Sequence, residues 1–475
     1  MTEAATAVAP ITLQQWLDRV QTRESHIGII GLGYVGLPLG LLFSAARFRV
    51  TGLDIDAAKV DTLNDGRSYI QRVEPAHIAA ARTAGFAATT DFAALTVCDA
   101  ILICVPTPLL DKGKSHQPDM SFIQGTLEAL APHTRPGQLI VLESTTWPGT
   151  TEEIVIPTLE HLGPAGTRVA RNVTDEAVIS TEAQRSGETP VFRSATDPIP
   201  SLLVAFSPER EDPGNLITPR HAVPKVIGGV DAQATTAAAA LYGTIFDRTV
   251  HMSSPAAAEM TKLLENIYRS VNIALVNEIK QLCIAMNIDI WEVIEAAATK
   301  PFGFQPFYPG PGIGGHCIPV DPFYLTWRAK QFGQPTRFIE LAGEINEAMP
   351  AYVVQTVQNA LTTLEGKKIL ILGVAYKRDI DDLRESPALT IIDLLQRAGA
   401  EVAYNDPFFP EVGCGRHYSL KMQSTPLDRV LEFDCVILVT DHSTYEIASL
   451  VQTSKLFIDT RNTTSNLTAP NIIRC

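Results

Sequence analysis

Residues 26–56 constrain the fold more than any other stretch, because they contain a strand, a glycine-rich turn, a helix and a second strand in succession. The apolar run 26–30 predicts a buried strand, and 37–46 predicts a helix directly after the turn. The run 49–56 predicts the next strand. This order is typical of a βαβ unit, and it predicts a parallel sheet with helices on both faces.

The turn between the first strand and helix has the spacing of a dinucleotide-binding site. Gly31, Gly33 and Gly36 form GxGxxG, which allows a tight turn and lets the backbone approach a pyrophosphate at the helix N-terminus. Asp54 ends the second strand, where an acid binds the ribose hydroxyls and favours NAD over NADP. Lys59, a turn further on, could reach the cofactor or be an ordinary solvated lysine.

The same alternation continues to residue 253, gives way to helices, and returns after Gly366. Segment 164–200 is rich in Thr, Ser, Pro and charge, so we interpret it as an atypical polar insertion on the surface. We therefore predict an α/β protein with two Rossmann-like, doubly wound domains joined by a central helical domain with a long connecting helix. The predicted domains are 1–253, 254–363 and 364–475. Further strands are predicted at 99–106, 138–145, 202–209, 368–376, 401–406, 434–441 and 456–461, and helices at 12–20, 254–286, 336–363 and 387–399.

Composition narrows the classes of function. The chain has 475 residues and a net charge of −14, which argues against nucleic acid or an anionic membrane surface as a partner. Its seven cysteines form no CxxC pair, so neither a disulfide framework nor a zinc site is expected. No signal peptide or membrane-spanning run is visible. We expect a cytoplasmic protein without a metal.

The loop 308–325 combines glycines and prolines around one cysteine, Cys317, with Asp321 four residues later. A thiol on such a loop near cationic groups can be a nucleophile, although a merely buried cysteine is an equally good explanation from the loop alone. His316 adjoins Cys317, but adjacent side chains usually point apart. We therefore favour a structural or substrate-contact role for it over that of a catalytic base.

The helix 254–286 has a polar face that includes Glu259, Lys262, Asn266 and Arg269. Either this is an ordinary solvated face, or the lysine and the amide stabilise a developing oxyanion. The opposite, apolar stripe should face the core. It consists of Met260, Leu263, Leu264, Ile267, Val271 and Leu275.

Seven motifs together resemble the UDP-glucose/GDP-mannose dehydrogenase family. They are GLGYVGLPL (31–39), ICVPTP (103–108), ESTTWPGT (143–150), SPEREDPGN (207–215), KLLENIYRSVNIALVNE (262–278), PGPGIGGHCIPVDPFYLTW (309–327) and GVAYKRDIDDLRESPA (373–388). The resemblance implies an enzyme that oxidises the C6 alcohol of a UDP-sugar to a carboxylate with two NAD. It also implies a dimer-forming helical middle, and thus a homodimer or a dimer of dimers.

The resemblance also implies residue roles. Cys317 would be the nucleophile, Lys262 and Asn266 would stabilise oxyanions, and Asp321 would help to activate water. Glu209 would assist thioester hydrolysis, and Thr146 would order water. The implied NAD contacts are Gly31, Gly33, Tyr34, Val35, Gly36, Asp54, Lys59, Pro106, Thr107 and Thr146. The implied substrate contacts are Glu209, Arg210, Lys262, Asn266, Arg269, Tyr308, Gly314, His316, Lys377 and Arg461.

Two departures bear on the sugar. Enzymes that oxidise UDP-glucose typically have a lysine where this chain has Val320, and a second acid where it has Pro213. The motifs instead resemble the bacterial branch that acts on UDP-N-acetylhexosamines, and UDP-N-acetyl-D-glucosamine is the predicted substrate. UDP-N-acetylmannosamine, UDP-N-acetylgalactosamine and UDP-glucose are the alternatives.

The sequence also bears on two other classes of function. A nucleotide-sugar epimerase usually has a YxxxK pair; no tyrosine here has one, since Tyr418 is only three residues from Lys421. A non-catalytic nucleotide-sugar sensor on the same fold would not need to retain Lys262, Asn266 and Cys317. Both classes are therefore disfavoured.

Overall fold

A computed structural model of the protein describes residues 11–70, 73–110, 117–171, 199, 201–210, 219–315, 317–414 and 419–475. The chain divides into two compact units. The first comprises Met1–Leu110 and Pro118–Leu263, and the second comprises Asp111–Gln117 and Leu264–Cys475. Among the helices within these ranges, none has the length and hydropathy needed to span a bilayer.

The first unit contains an eight-stranded sheet with the order β3-β2-β1-β4-β5-β6-β7-β8. Ile27 on β1 pairs with Val50 on β2 and with Ala100 on β4, so the chain winds outward in both directions from β1. Every pair is parallel except β6 with β7. The strands are β1 (His26–Ile30), β2 (Arg49–Leu53), β3 (Phe86–Thr89), β4 (Ala100–Ile103), β5 (Leu139–Leu142), β6 (Leu203–Phe206), β7 (Lys225–Gly229) and β8 (Thr249–His251).

Helices cover this sheet, and short polar side chains fix where several of them begin. Thr12 and Gln15 form a capping box at the start of α1, and Asp56 caps α3 through the Ala58 N–H. Trp16 of α1 is fully buried in the core. The helices are α1 (Leu13–Thr22), α2 (Gly36–Ala45), α3 (Ala57–Asn64), α4 (Pro75–Thr83), α5 (Ser121–Leu130), α6 (Ile156–Leu162) and α7 (Ala232–Tyr242), with a π-helical turn Thr151–Val155 before α6.

The long helix α8 (Pro255–Ala285) carries residues of both units. The second unit continues with α9 (Ile290–Ala298), α10 (Cys317–Gln331) and α11 (Arg337–Leu361), and then forms a parallel five-stranded sheet of order β10-β9-β13-β14-β15. Its remaining elements are β9 (Lys368–Leu372), α12 (Pro387–Arg397), β10 (Glu401–Asn405), the antiparallel pair β11 (Glu411–Cys414) and β12 (Ser419–Gln423), β13 (Cys435–Leu438), α13 (Ile447–Thr453), β14 (Phe457–Asp459) and β15 (Ile472–Arg474). The predicted fold class is confirmed.

The two faces of α8 are not arranged as the sequence predicted. Glu259, Lys262 and Asn266, assigned to the polar face, are buried. Leu264 and Leu275, assigned to the core-facing stripe, are 58% and 51% exposed. Hydrophobic periodicity cannot distinguish a core face from an apolar surface, and here that part of the prediction was wrong.

The predicted loop 308–325 is shorter than expected, because α10 already begins at Cys317. Pro319 occupies the first helical turn, where an amide hydrogen would have no helical acceptor. Pro322 lies inside the helix and removes one helical hydrogen bond. The two prolines favoured a loop in the sequence, but the first turns of a helix tolerate them.

Both ends of the predicted insertion 164–200 belong to the core of the first unit. Val169 is buried and bridges Leu202, and buried Ile199 donates its N–H to the Ile11 carbonyl. The surface assignment was therefore wrong at these two positions. Residues 172–198 and residue 200 lie outside the described ranges.

Candidate active site

Two of the three glycines of the turn after β1 are required by close backbone approaches. Gly31 has φ +90°, and a Cβ there would lie 2.6 Å from the Cys104 carbonyl oxygen. A Cβ at Gly36 would lie 1.9 Å from the Gly31 carbonyl oxygen. At Gly33 a Cβ would meet no atom within 4 Å, so the turn is open there. A tight turn with an open side at a helix N-terminus fits a bound pyrophosphate.

Asp54, after β2, is buried and held in one orientation. Its Oδ2 accepts the Leu32 N–H at 3.0 Å, and its Oδ1 accepts the Asp56 N–H at 3.0 Å. Lys59 Nζ lies 3.4 Å from Oδ2 and also 5.9 Å above the Tyr69 ring. Lys59 therefore neutralises Asp54 and is not simply solvated, while the carboxylate keeps acceptor capacity for ribose hydroxyls.

The other residues predicted near the cofactor lie around the carboxyl ends of the parallel strands, where open α/β sheets bind ligands. Val35 follows the turn, and Pro106 and Thr107 follow β4. Thr146 follows β5 and is fully buried, and its hydroxyl has no hydrogen-bond partner among the described residues. A buried hydroxyl without a partner suits a bound ligand or ordered water. Tyr34 is partly buried against the core.

Glu209, after β6, belongs to a buried charge network that the sequence did not reveal. Arg220 Nη2 lies 2.9 Å from Glu209 Oε2, and Lys225 Nζ lies 3.8 Å from the same oxygen. Burial opposes ionisation of Glu209, but Arg220, Lys225 and Lys262 outweigh it and lower its pKa to about 2. Glu209 is therefore an anion at neutral pH.

Lys225 also pairs with a second buried carboxylate. Its Nζ lies 2.6 Å from Glu143 Oε2 and 5.0 Å above the Tyr242 ring. The Tyr242 hydroxyl donates to Glu143 Oε1. Burial raises the pKa of Glu143, and Lys225 opposes that rise. The partners are 82 and 99 residues apart, so no local motif could have revealed this cluster.

Glu259 joins helix α8 to the loop after β5. Its carboxylate accepts the Gly149 N–H at 2.6 Å, the Thr151 N–H at 3.0 Å and the Thr151 hydroxyl at 2.7 Å. Burial raises the pKa of Glu259 to about 7 against these hydrogen bonds. Lys262, one turn later, is also buried. This part of α8 is therefore not the solvated face allowed by the sequence.

In the second unit the structure brings three predicted site residues together. Asn266 Nδ2 donates to Asp321 Oδ2 at 2.6 Å, and Arg269 donates to Asn266 Oδ1. Asp321 is fully buried. Cys317 is half-buried, opens helix α10 and precedes Asp321 by one turn. A helix N-terminus favours an anionic group, which suits a thiolate.

The loop before Cys317 packs against the five-stranded sheet domain of its own unit. Gly315 has φ +85° and donates its N–H to the Arg384 carbonyl at 2.8 Å. A Cβ at Gly314 would lie 2.4 Å from Tyr376 Cβ. These glycines are therefore required by close packing, and they fix the position of Cys317. His316 itself lies outside the described residues.

Known protein families match most of the chain, from residue 25 to residue 466. Sequence models of the UDP-glucose/GDP-mannose dehydrogenase family match its NAD binding domain at residues 25–246, its central domain at 256–348 and its UDP binding domain at 370–466. UDP-N-acetyl-D-mannosamine dehydrogenase of Methanococcus maripaludis is 31% identical over 424 residues, 88% of this chain and 87% of that protein. The chain belongs to the UDP-glucose/GDP-mannose dehydrogenase family.

Two further proteins show how widely this family's fold and sequence agree with the chain. NDP-N-acetyl-D-galactosaminuronic acid dehydrogenase of Ralstonia nicotianae is 33% identical, covering 92% of this chain and 95% of that protein. The structure of UDP-D-ManNAc dehydrogenase from Pyrococcus horikoshii superposes with a TM-score of 0.75 and 30% identity, covering 92% and 95% of the two chains. The protein is an NAD-dependent nucleotide-sugar dehydrogenase.

Arg461 lies within the region matched by the family's UDP binding domain, and both its side chain and its backbone are hydrogen-bonded. Its Nε donates to the Val439 carbonyl at 2.8 Å, and its N–H donates to Asp459 Oδ1 at 2.8 Å. Burial lowers the pKa of Arg461 despite Asp441 and Asp459. Lys377 follows β9 at the carboxyl end of the same sheet. Both positions suit contacts to a nucleotide.

The surroundings of two further predicted substrate contacts can be described within each unit. Arg210, in the first unit, donates to the Pro224 carbonyl at 2.8 Å. Tyr308, in the second, stacks on Trp291 with 5.4 Å between ring centroids and is 48% exposed. Sequence reasoning missed Arg384, which binds Asp382 through two nitrogens and interacts electrostatically with Cys317.

Proposed function

We propose that this enzyme oxidises the C6 hydroxyl of a UDP-N-acetylhexosamine to a carboxylate in two steps through a covalent intermediate on Cys317. The observation that carries the proposal is the placement of Cys317 at the start of α10, one turn before a buried Asp321 bonded to Asn266. A nucleophile, an acid and an amide donor in this order suit acyl transfer through a thioester.

In the first oxidation, Lys262 or an ordered water takes the proton of the C6 hydroxyl. NAD, when bound by the glycine turn and Asp54, supplies the hydride acceptor for both oxidations. The open side of the turn at Gly33 and the fixed Asp54 carboxylate support that assignment. The other NAD contacts proposed here are Tyr34, Val35, Lys59, Pro106, Thr107 and Thr146.

Cys317 then adds to the C6 aldehyde, and the resulting thiohemiacetal is the form that can be oxidised to a thioester. Asn266 stabilises the oxygen anion of that adduct. Its amide orientation is fixed because Arg269 donates to Oδ1 while Nδ2 donates to Asp321, which leaves one N–H for the substrate. The thioester is finally hydrolysed by water.

Two carboxylates support the hydrolysis step in this proposal. Asp321 accepts from Asn266 through one oxygen and activates water. Glu209, kept ionised by Arg220 and Lys225, assists as an anion. The buried hydroxyl of Thr146 orders a water molecule.

The substrate is held through its nucleotide by the C-terminal region. Arg461 and Lys377 contact the UDP moiety, and the other proposed contacts are Glu209, Arg210, Arg269, Tyr308, Gly314 and His316. We further propose the domain division 1–253 for NAD, 254–363 for assembly and 364–475 for UDP-sugar. Of the epimers, the named relatives favour UDP-N-acetyl-D-mannosamine, and the sequence motifs favour UDP-N-acetyl-D-glucosamine.

A panel of four UDP-sugars tests the substrate class. UDP-N-acetylmannosamine, UDP-N-acetylglucosamine, UDP-N-acetylgalactosamine and UDP-glucose are assayed for NADH formation, and kcat/KM is compared. We expect one N-acetylhexosamine to exceed UDP-glucose by roughly tenfold or more, because the N-acetyl contacts are lost with glucose. A clear preference for UDP-glucose would overturn the N-acetylhexosamine assignment.

The covalent role is tested with two cysteine variants of the same unit. Cys317→Ala should abolish formation of the acid, because no thioester can form. Cys283→Ala is the matched control, since Cys283 is buried in an apolar cluster and has no proposed role. Undiminished acid production by Cys317→Ala would end the covalent mechanism.

A further inference from the structure

Lys280 is a buried cation that the proposed reaction does not use. Lys280 lies on α8 and is 2% exposed. Its Nζ makes no hydrogen bond to any residue that the structure describes. Removing an ammonium group from water without a compensating partner is destabilising. An anion supplied from outside the chain would offset this cost.

A chain of contacts connects the helix face that carries Lys280 with Arg461. Asn277, one turn earlier on the same helix face, accepts the Gly310 N–H at 3.0 Å. A Cβ at Gly310 would lie 3.1 Å from Arg461 Nη1, so the guanidinium packs on that glycine. Burial and then the charge of Arg461 lower the pKa of Lys280, while Cys475 and Asp459 raise it.

Asp459, one of the two groups that raise the pKa of Lys280, is already engaged by other donors. Asp459 Oδ1 accepts from the Arg461 N–H at 2.8 Å. Its Oδ2 accepts from the Thr464 N–H at 2.8 Å and from the Thr464 hydroxyl at 2.7 Å. Asp459 therefore offers one negative charge to two cations and has limited capacity to bind either side chain.

The position of the pair suits a nucleotide phosphate. Arg461 is anchored on Val439, beyond β13, and follows β14, at the carboxyl ends of parallel strands. Ligands of open α/β sheets bind at such ends. The ligand that the family assigns to this region is UDP, whose diphosphate is the anionic part.

We propose that Lys280, together with Arg461, binds the diphosphate of the UDP-sugar. This inference rests on the proposed function and adds to it a substrate-binding residue on the long helix. It predicts that the free enzyme is less stable than it could be, because the ammonium has no hydrogen-bond partner among the described residues until UDP arrives. It also predicts that Lys280 discriminates UDP from uridine, which lacks the phosphates.

Calorimetric titration with UDP and with uridine, on the full chain, tests the proposal. Lys280→Met should weaken UDP binding at least tenfold and leave uridine binding within about twofold of the wild type. The melting temperature of the ligand-free variant should equal or exceed that of the wild type. Lys280→Arg should recover part of the UDP affinity. Lys300→Met, at an exposed lysine of the same unit, is the control and should behave as the wild type.

Three results would overturn the inference. If Lys280→Met binds UDP as tightly as the wild type, Lys280 does not contact the phosphates. The proposed dehydrogenase function would be unaffected by that result. Equal losses for UDP and uridine, with a lowered melting temperature, would show that Lys280 is only structural. A wild-type enzyme that binds no UDP would remove both this inference and the proposed substrate class.

Discussion

At the scale of single residues, the buried ion pairs are the most consequential features that the sequence concealed. Lys225 is the first residue of β7, and its Nζ lies 2.6 Å from Glu143, with both side chains buried. By contrast, the strand His26–Ile30 and the glycine turn after it were predicted correctly, because their signal is local. Pairs separated by 82 residues in sequence require the fold before they can be recognised.

Lys225→Met should destabilise the protein by roughly 3–5 kcal/mol, because it leaves Glu143 buried without its cation. Urea unfolding of the wild type and the variant measures this loss. Adding Glu143→Leu to Lys225→Met should recover much of the stability, since no unpaired charge then remains. A single variant that unfolds like the wild type would show that the pair contributes nothing.

Asp54 should control the choice of cofactor. Asp54→Asn removes charge-assisted hydrogen bonds to the ribose that are worth about 1.5–3 kcal/mol each, so the KM for NAD should rise roughly tenfold to a hundredfold. The wild type should prefer NAD over NADP, because a carboxylate repels a 2′-phosphate. Steady-state kinetics with both cofactors check this, and equal use of the two by the wild type would contradict the assignment.

At the scale of elements, helix α8 shows what periodicity can and cannot predict. Its start and end were predicted within a residue or so, at Pro255 and Ala285, because Ser254 and Pro255 mark the N-terminus. Which face is buried could not be read from the pattern, since an apolar surface and a core stripe look alike. Glu259 lies on a buried face because its carboxylate accepts the backbone N–H groups of Gly149 and Thr151.

Glu259→Gln should lower the free energy of unfolding by about 1–3 kcal/mol at pH 5, because an amide has one acceptor oxygen and leaves a backbone N–H unsatisfied. In the folded protein the pKa of Glu259 is raised from 4.5 to about 7. Protonation of Glu259 therefore stabilises the fold. This stabilisation is complete below pH 4.5 and is lost as the pH rises through 7. The cost of the substitution should therefore shrink between pH 5 and 8.

Unfolding free energies of the wild type and Glu259→Gln at pH 5, 6, 7 and 8 measure that difference directly. The wild type should lose stability relative to the variant across this range. A cost that grows with pH would mean that the carboxylate, rather than the acid, is the form that the fold prefers.

At the scale of the whole molecule, the second unit exposes an apolar surface that a monomer would leave in water. Leu275 and Leu282 are 51% and 58% exposed and lie two turns apart on one face of α8. Phe338, on α11, is 80% exposed. Apolar side chains exposed along one helix face are a feature of subunit interfaces, so we propose that the chain assembles at least as a homodimer.

Leu275→Asp with Leu282→Asp should dissociate that assembly, because two carboxylates would be buried without partners at the interface. Light scattering after size-exclusion chromatography should show the mass fall to that of one chain. Val97→Asp, at an exposed valine of the first unit, is the control and should leave the mass unchanged. A monomeric wild type would contradict the proposal.

In the proposed mechanism, Cys317 retains the half-oxidised sugar between two oxidations. The decisive measurement is the number of NADH formed per UDP-sugar consumed, with the sugar limiting and NAD in excess. Two NADH should form per sugar, with the uronic acid as the product. One NADH per sugar, with a free aldehyde released, would contradict it.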